Sequence, residues 1–344
     1  MPEVGKERGA FVRLDPSGFQ IRHPPPPHEL DTVITPDEKL FQTVHMGAAV
    51  VDHAHYQLVI GGLVERPVAV TLEELKRLPQ TTITAFHECY GSPLEPPIEA
   101  CWRVGNVRWT GVRVSHLLTT AGLMVTTENS FLWSERLDRG TFAGIEADRY
   151  QKDLPMYKAL DSEVLVAYAM NGEPLTKERG GPVRLVVPGF FGTNSTKWLC
   201  RLSVQTKRAQ GPYTTTFYNE RVSSDMGRPR VRPVWHVEVN SIITRPRPDE
   251  LVTNPDVKVQ GWAWSYDGVE NVEVSADDGR TWTGTFVEKR SEYSWQNFEA
   301  KLTGLRPGKY RVLARATSIC GEQQPLSGHR NHVHHVNFEV SHCD

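Results

Sequence analysis

Between Val257 and Ala316 apolar and polar residues alternate in short runs, and a turn signal closes each run. Val257-Lys258-Val259-Gln260-Gly261-Trp262-Ala263-Trp264 alternates, and so does Val272-Glu273-Val274-Ser275. Asp277-Asp278-Gly279 then turns into Thr281-Trp282, and Trp295, Phe298 and the run Tyr310–Ala316 continue the pattern. A period of two puts one set of side chains on one face of a strand. Short strands with turns every ~8–12 residues point to a β-sandwich for this part of the chain.

Upstream the pattern mixes strands and helices. From Tyr56, YQLVIGGLVERPVAVTLEELKRLP reads strand, turn, short strand, helix. Thr71 can cap a helix at Leu72, with Glu74 three residues on, as in a capping box. Residues 80–89, QTTITAFHEC, form a strand that gives way to a loop at Cys89. Trp102 to Leu118 reads as a loop and then a helix, with Gly111 at the approach and Val114, Leu117 and Leu118 as an apolar stripe. Glu163–Met170 is a buried strand followed by an Asn171-Gly172 turn, and Gly181–Gly189 is a short strand bracketed by glycine and proline. No βαβ repeat, GxGxxG or GxxxxGK[ST] is present, so the class is α+β and no dinucleotide or P-loop site is expected. The Arg228–Pro233 stretch marks the boundary between the two halves. Residues 1–34 form a polar leader with four consecutive prolines, Pro24 to Pro27, which suit an extended N-terminal arm.

At 344 residues two domains are expected, and a net charge of -2 argues against nucleic acid as the main partner. No apolar run reaches the ~18–20 residues of a membrane-spanning helix. The start lacks the apolar run of a secretory signal and a twin arginine, which makes a cytoplasmic location the expectation, or a periplasmic one if the start is trimmed. The cysteines, Cys89, Cys101, Cys200, Cys320 and Cys343, are odd in number and show no CxxC. They are neither a disulfide framework nor a zinc site of the usual spacing, and most suit small buried hydrophobes.

Cys89 differs from the rest because it lies at a strand end. Alternation puts His87 on its face, so His87-Glu88-Cys89 could form a Cys-His nucleophile, or a thiolate and imidazole set for a soft or borderline metal. The local residues leave both open.

Taken together, Cys89-Tyr90-Gly91, Val104-Gly105-Asn106-Val107-Arg108-Trp109-Thr110-Gly111-Val112, Met170–Leu175, Gly181–Gly189 and Lys197-Trp198-Leu199 resemble the sulfite oxidase family of molybdopterin enzymes. The order and spacing agree over roughly residues 40–340. The resemblance implies an extended arm at 1–34, a molybdopterin-binding catalytic domain at 35–229, and an immunoglobulin-like β-sandwich at 230–344 that makes a homodimer. It implies a molybdenum cofactor with Cys89 as the protein's metal ligand, a role that suits a strongly donating thiolate. Tyr150 is similar in position to the active-site tyrosine, and His45 to a histidine beside the pterin. Arg184 and Lys197 match cations that contact the pterin or its phosphate, and Thr193, Asn194, Ser195 and Thr196 could add donors.

Departures from the family pattern shape the substrate expectation. Gly91-Ser92-Pro93-Leu94 lacks the arginine that follows the cysteine in sulfite-oxidising members, and Thr43 stands where another is expected. The last strand carries His332, His334 and His335, which suit either protonated anion binders or a solvated strand. Arg103, Arg108, Arg149 and Arg330 are possible substitutes. The expected activity is oxygen-atom transfer on a small sulfur compound, with weak turnover of sulfite itself. The chain has no haem-binding CxxCH, so electrons would leave through a separate acceptor such as a cytochrome. The competing readings are a member acting on a neutral substrate, a non-catalytic cofactor-binding or interaction protein, and a Cys-His hydrolase.

Overall fold

Thr71 ends a strand and starts a helix, Leu72–Arg77, for a local reason. Its hydroxyl accepts from the Glu74 N–H at 3.2 Å, while the Glu74 carboxylate accepts from the Thr71 N–H at 2.9 Å. This capping box satisfies amide hydrogens that the first turn leaves over, a contribution of about 1 kcal/mol. The computed structural model describes residues 12–14, 20–22, 24–92, 102–222 and 230–341. Pro93, Leu94, Cys101, Arg228, Pro229 and Cys343 lie outside the described residues, as does most of 1–23.

The chain divides into two compact units. One comprises 1–22, 41–83 and 108–235, and the other 23–40, 84–107 and 236–344. The division falls inside two strands, Gln80–Glu88 and Val104–Arg113, so Cys89 is grouped with the C-terminal half of the chain.

The first unit holds a five-stranded sheet in the order Gln151–Pro155, Phe131–Arg136, Leu199–Gln205, Gln57–Gly62, Val68–Thr71. Its one parallel pairing joins Leu199–Gln205 to Gln57–Gly62. The strand Leu165–Met170 pairs with Glu173–Pro174 across Asn171 and Gly172, both at positive φ (53° and 92°), as a tight hairpin requires. Two short strands of the leader, Val12–Leu14 and Gln20–Arg22, pair with Ala49–Val51 and Gln42–Val44.

The expected loop between Trp102 and the helix is instead the ten-residue strand Val104–Arg113, which leads directly into the helix Val114–Ala121. Its glycines and polar residues mask the strand signal, yet Gly111 is what the pairing needs. A Cβ there would sit 2.2 Å from the Val166 carbonyl oxygen on the neighbouring strand.

The second unit contains the expected sandwich. One sheet runs Asn240–Arg245, Val257–Trp264, Gln296–Leu302, Phe286–Val287. The other runs Glu250–Val252, His334–Val340, Gly308–Ser318, Val269–Ser275, Thr283–Gly284. Val259 and Phe298 from the first sheet share one core with Val272, Val312, Val336 and Phe338 from the second. Burying each of these side chains contributes roughly 1.5–3 kcal/mol.

The histidines of the last strand fit neither expectation as a group. His334 is half-buried; its Nδ1 accepts from the Ile243 N–H at 2.9 Å and its ring meets Trp102 edge-on at 5.6 Å. Burial pushes it down to about 3, so it stays neutral and binds no anion by charge. His335 is exposed and faces Arg311 at 3.2 Å. Among the described residues no helix is long and apolar enough to cross a membrane.

Candidate functional site

Arg184, Lys197 and Arg136 are the charged centre of the first unit, and all three are at least nine-tenths buried. Arg184 sits on the short strand Arg184–Val186. Its Nη1 and Nη2 donate to the carbonyl oxygens of Arg179 (3.0 Å) and Ser195 (3.1 Å), and its guanidinium lies 4.9 Å from the Trp109 ring centre. Its Nε is buried without a hydrogen-bond partner. Burial, then the charge of Arg136, lowers it to about 9. Lys197 donates to the carbonyl oxygens of Glu178 (2.8 Å) and Thr43 (3.3 Å), and burial with Arg184 and Arg136 holds it well below its ordinary range. Gly180, at φ +91°, makes room for it, since a Cβ there would lie 2.5 Å from the Lys197 Cβ.

Arg136 ends a central strand, where sequence periodicity marks nothing special. Its Nε is 2.7 Å from Asp138, its Nη2 3.3 Å from His45 Nδ1, and its guanidinium 3.6 Å above the Tyr150 ring. Burial raises Asp138 to about 6 against the pull of Arg136. The buried cations therefore face one buried carboxylate, Asp138, and the half-exposed Glu178. Buried charge without countercharge costs several kcal/mol per ion, so this cluster is built to receive an anion. A phosphate-bearing cofactor fits that requirement, and the unpartnered Arg184 Nε is a waiting donor.

His45 lies in an aromatic cage of Phe142 (4.7 Å), Tyr213 (5.4 Å) and Tyr150 (5.7 Å), and its Nε2 is 2.6 Å from the Tyr218 hydroxyl. Tyr218 adopts φ +56°, a left-handed conformation that a tyrosine rarely takes. Lys152, buried and lowered to about 8 chiefly by desolvation, donates to the Tyr213 carbonyl at 3.0 Å and lies 5.5 Å from the Tyr218 ring centre. Arg136, Asp138, Lys152 and Tyr218 were not expected from sequence. They carry no local signal, because only long-range packing brings them together.

Residues 193–197 form no exposed loop; Asn194, Ser195, Thr196 and Lys197 are buried. Tyr150 donates its hydroxyl to the Thr193 carbonyl at 2.6 Å and meets the Thr193 hydroxyl at 2.7 Å, while Ser195 Oγ accepts from the Val187 N–H at 3.1 Å. The structure thus brings His45, Tyr150, Arg184, Thr193, Ser195 and Lys197 into one unit.

Cys89 belongs to the other unit and is half-buried in a turn. Its N–H donates to the Arg103 carbonyl at 2.9 Å, and its carbonyl accepts from the Ser92 N–H at 3.1 Å. Arg330 braces this turn by donating to the Tyr90 carbonyl at 3.1 Å and the Glu238 carboxylate at 2.8 Å. Glu88, fully buried, accepts from the Trp264 indole at 2.7 Å, and burial raises it to about 7. Of the other arginines considered, Arg103 is buried and Arg108 exposed, and Arg149 is tied to Glu135 (2.8 Å) and Asp148 (2.9 Å). Cys200 is a buried core residue and Cys320 is exposed.

Residues 45–213 match the oxidoreductase molybdopterin binding domain, and residues 231–337 the Mo-co oxidoreductase dimerisation domain. The chain belongs to the sulfite oxidase family. Mitochondrial sulfite oxidase of Homo sapiens is 31% identical over 305 residues, covering 81% of this chain and 54% of that protein. Sulfite oxidase of Arabidopsis thaliana is 26% identical, with 88% and 85% covered. NADH nitrate reductase of Volvox carteri is 31% identical, with 82% and 37% covered. The chain thus spans about half the length of the first of these relatives. The sulfane dehydrogenase SoxCD of Paracoccus pantotrophus has a similar structure, at TM-score 0.78 and 28% identity, covering 99% of this chain and 93% of that one. The match agrees with the α+β reading followed by a β-sandwich, in a chain built mostly of strands.

Proposed function

We propose that this chain is a molybdenum-dependent oxidoreductase that transfers an oxygen atom to or from a small sulfur compound. Arg184 and Lys197 hold the phosphate end of the cofactor, with Ser195 and Thr193 shaping the segment around it, and the Cys89 thiolate is the protein's ligand to the metal. The cofactor, when bound, supplies oxygen-atom exchange and a store for two electrons. His45 lies in the cage beside it. The catalytic tyrosine expected from sequence is Tyr150; because Thr193 holds its hydroxyl on two sides, we give that role to Tyr218. Oxidation of a substrate would take one oxygen from water and release two protons and two electrons, the electrons passing to a separate acceptor such as a cytochrome. The 231–337 domain would join two copies of the chain.

The observation that carries this reading is the surplus of buried cations around Arg184 and Lys197, in a domain of molybdopterin-binding type. Elemental analysis and a visible absorption spectrum of protein purified from a cofactor-competent host test it. Stoichiometric molybdenum with a thiolate-dependent band is expected, and metal-free protein overturns the reading. A screen of sulfite, thiosulfate and organic sulfoxides then identifies the substrate, with sulfite expected to turn over weakly.

A further inference from the structure

Cys89 is held on both sides by residues from the C-terminal part of the chain. Before it, the buried Glu88 carboxylate accepts from the Trp264 indole at 2.7 Å and from Asn240 Nδ2 at 3.4 Å. Gln324 fixes Asn240 in turn, donating from Nε2 to its Oδ1 at 3.0 Å and to the Asn331 carbonyl at 3.1 Å. After it, Arg330 Nη1 donates to the carbonyl oxygens of Tyr90 (3.1 Å) and Ser92 (3.4 Å), and its guanidinium lies 4.8 Å from the Tyr90 ring centre. Arg330 Nη2 donates to the Glu238 carboxylate at 2.8 Å, and with the arginine side chain only 16% exposed, solvent screens this pair little. Asn331 Nδ2 donates to the Val239 carbonyl at 3.1 Å, so the segments that carry Arg330 and Glu238 are tied to each other.

The N–H and the carbonyl of Cys89 are themselves bonded, to Arg103 and Ser92. With the residues on either side held as well, rotation about its Cα–Cβ bond is the freedom its sulfur retains. Glu88 and Tyr90 lie in the stretch of molybdopterin-binding type, whereas Trp264, Gln324 and Arg330 lie in the stretch of dimerisation type, and all of them belong to one compact unit.

We propose that Arg330 is a positioning residue for the metal ligand: by holding the Tyr90 and Ser92 carbonyls it fixes the Cys89 turn, so that the dimerisation-type domain sets the direction from which the thiolate meets the metal. The metal in this statement rests on the reading of the site given above, whereas the hold on the turn does not.

The test reads the full chain in two ways. Amide hydrogen exchange over residues 86–92, followed by mass spectrometry, should speed up about 10–100-fold in Arg330→Met, because hydrogen bonds from a charged donor are lost locally. Arg330→Lys, which keeps a charged donor, should return it toward the native rate. In the molybdenum-loaded chain the thiolate-dependent absorption band should shift in Arg330→Met and regain its position in Arg330→Lys, a change that loosened packing elsewhere would not produce. Native exchange or an unmoved band in Arg330→Met overturns the proposal. If that variant does not fold, Glu238→Gln, which removes the charge anchoring the guanidinium, should give the same changes in smaller measure, and their absence there overturns it equally. Metal-free protein would sink the molybdenum reading, and the exchange comparison would still decide whether Arg330 holds the turn.

Discussion

The guanidinium of Arg136 lies 3.6 Å above the ring of Tyr150, in a place where both side chains are almost fully buried. The ring's negative face supports a cation there, and the hydroxyl at its far end is held by Thr193. On the reading proposed above, Tyr150 acts through packing. Tyr150→Phe keeps the stack and loses a buried hydroxyl's bonds, so it should cost about 1 kcal/mol in denaturant unfolding with little change in turnover. Tyr218→Phe loses the bond to His45 at a similar cost, and in addition kcat should fall about 100-fold or more. A Tyr150→Phe variant as impaired in turnover as Tyr218→Phe would return the catalytic role to Tyr150.

Cys89 sits in a turn stitched by backbone hydrogen bonds, so replacing its sulfur leaves the turn's bonds in place. Cys89→Ser should fold with an unchanged melting temperature and lose essentially all turnover, because a hydroxyl is a far weaker soft-metal ligand than a thiolate. Differential scanning calorimetry beside a turnover assay checks both halves. Full activity in this variant would refute the ligand assignment.

The cation cluster should bind simple oxyanions in cofactor-free protein. Inorganic phosphate should raise the melting temperature, with stability growing by about 1.4 kcal/mol per tenfold increase in concentration above its dissociation constant. Lys197→Met should remove most of this response. An equal response in the variant would show that phosphate binds elsewhere.

His334 makes stability depend on pH. Its folded value is about 3, against 6.5 for an ordinary histidine, so between these values the unfolded chain binds the proton and the folded chain does not. The stabilisation is complete above pH 6.5 and is lost as pH falls toward 3. The full loss is of the order of 4–5 kcal/mol at 1.36 kcal/mol per unit. His334→Gln can still accept from the Ile243 N–H and does not titrate. Its urea-unfolding free energy should fall less steeply than the native protein's between pH 6 and pH 4, and parallel curves would contradict this.

Much of the molecule was legible residue by residue. The Thr71–Glu74 box, the Asn171-Gly172 hairpin and the alternating strands after Val257 are local patterns, and local hydrogen bonding or a period of two dictates them without help from the rest of the chain. The stretch 104–113 was misread because its glycines lower strand propensity in isolation, while their worth appears only against the Val166 carbonyl across the sheet.

By itself the sequence determined the family and the α+β class with its trailing sandwich, and it nominated Cys89, Arg184 and Lys197 for the proposed cofactor. Tertiary structure alone decided that Arg136 joins His45 across 91 positions, that His45 meets Tyr218 across 173, and that His334 is half-buried against Trp102 while His335 is exposed. The reason is physical. Periodicity reports which face of an element is apolar, whereas the partner of a buried charge or hydroxyl is set by which distant segments pack against it, and no local pattern records that choice.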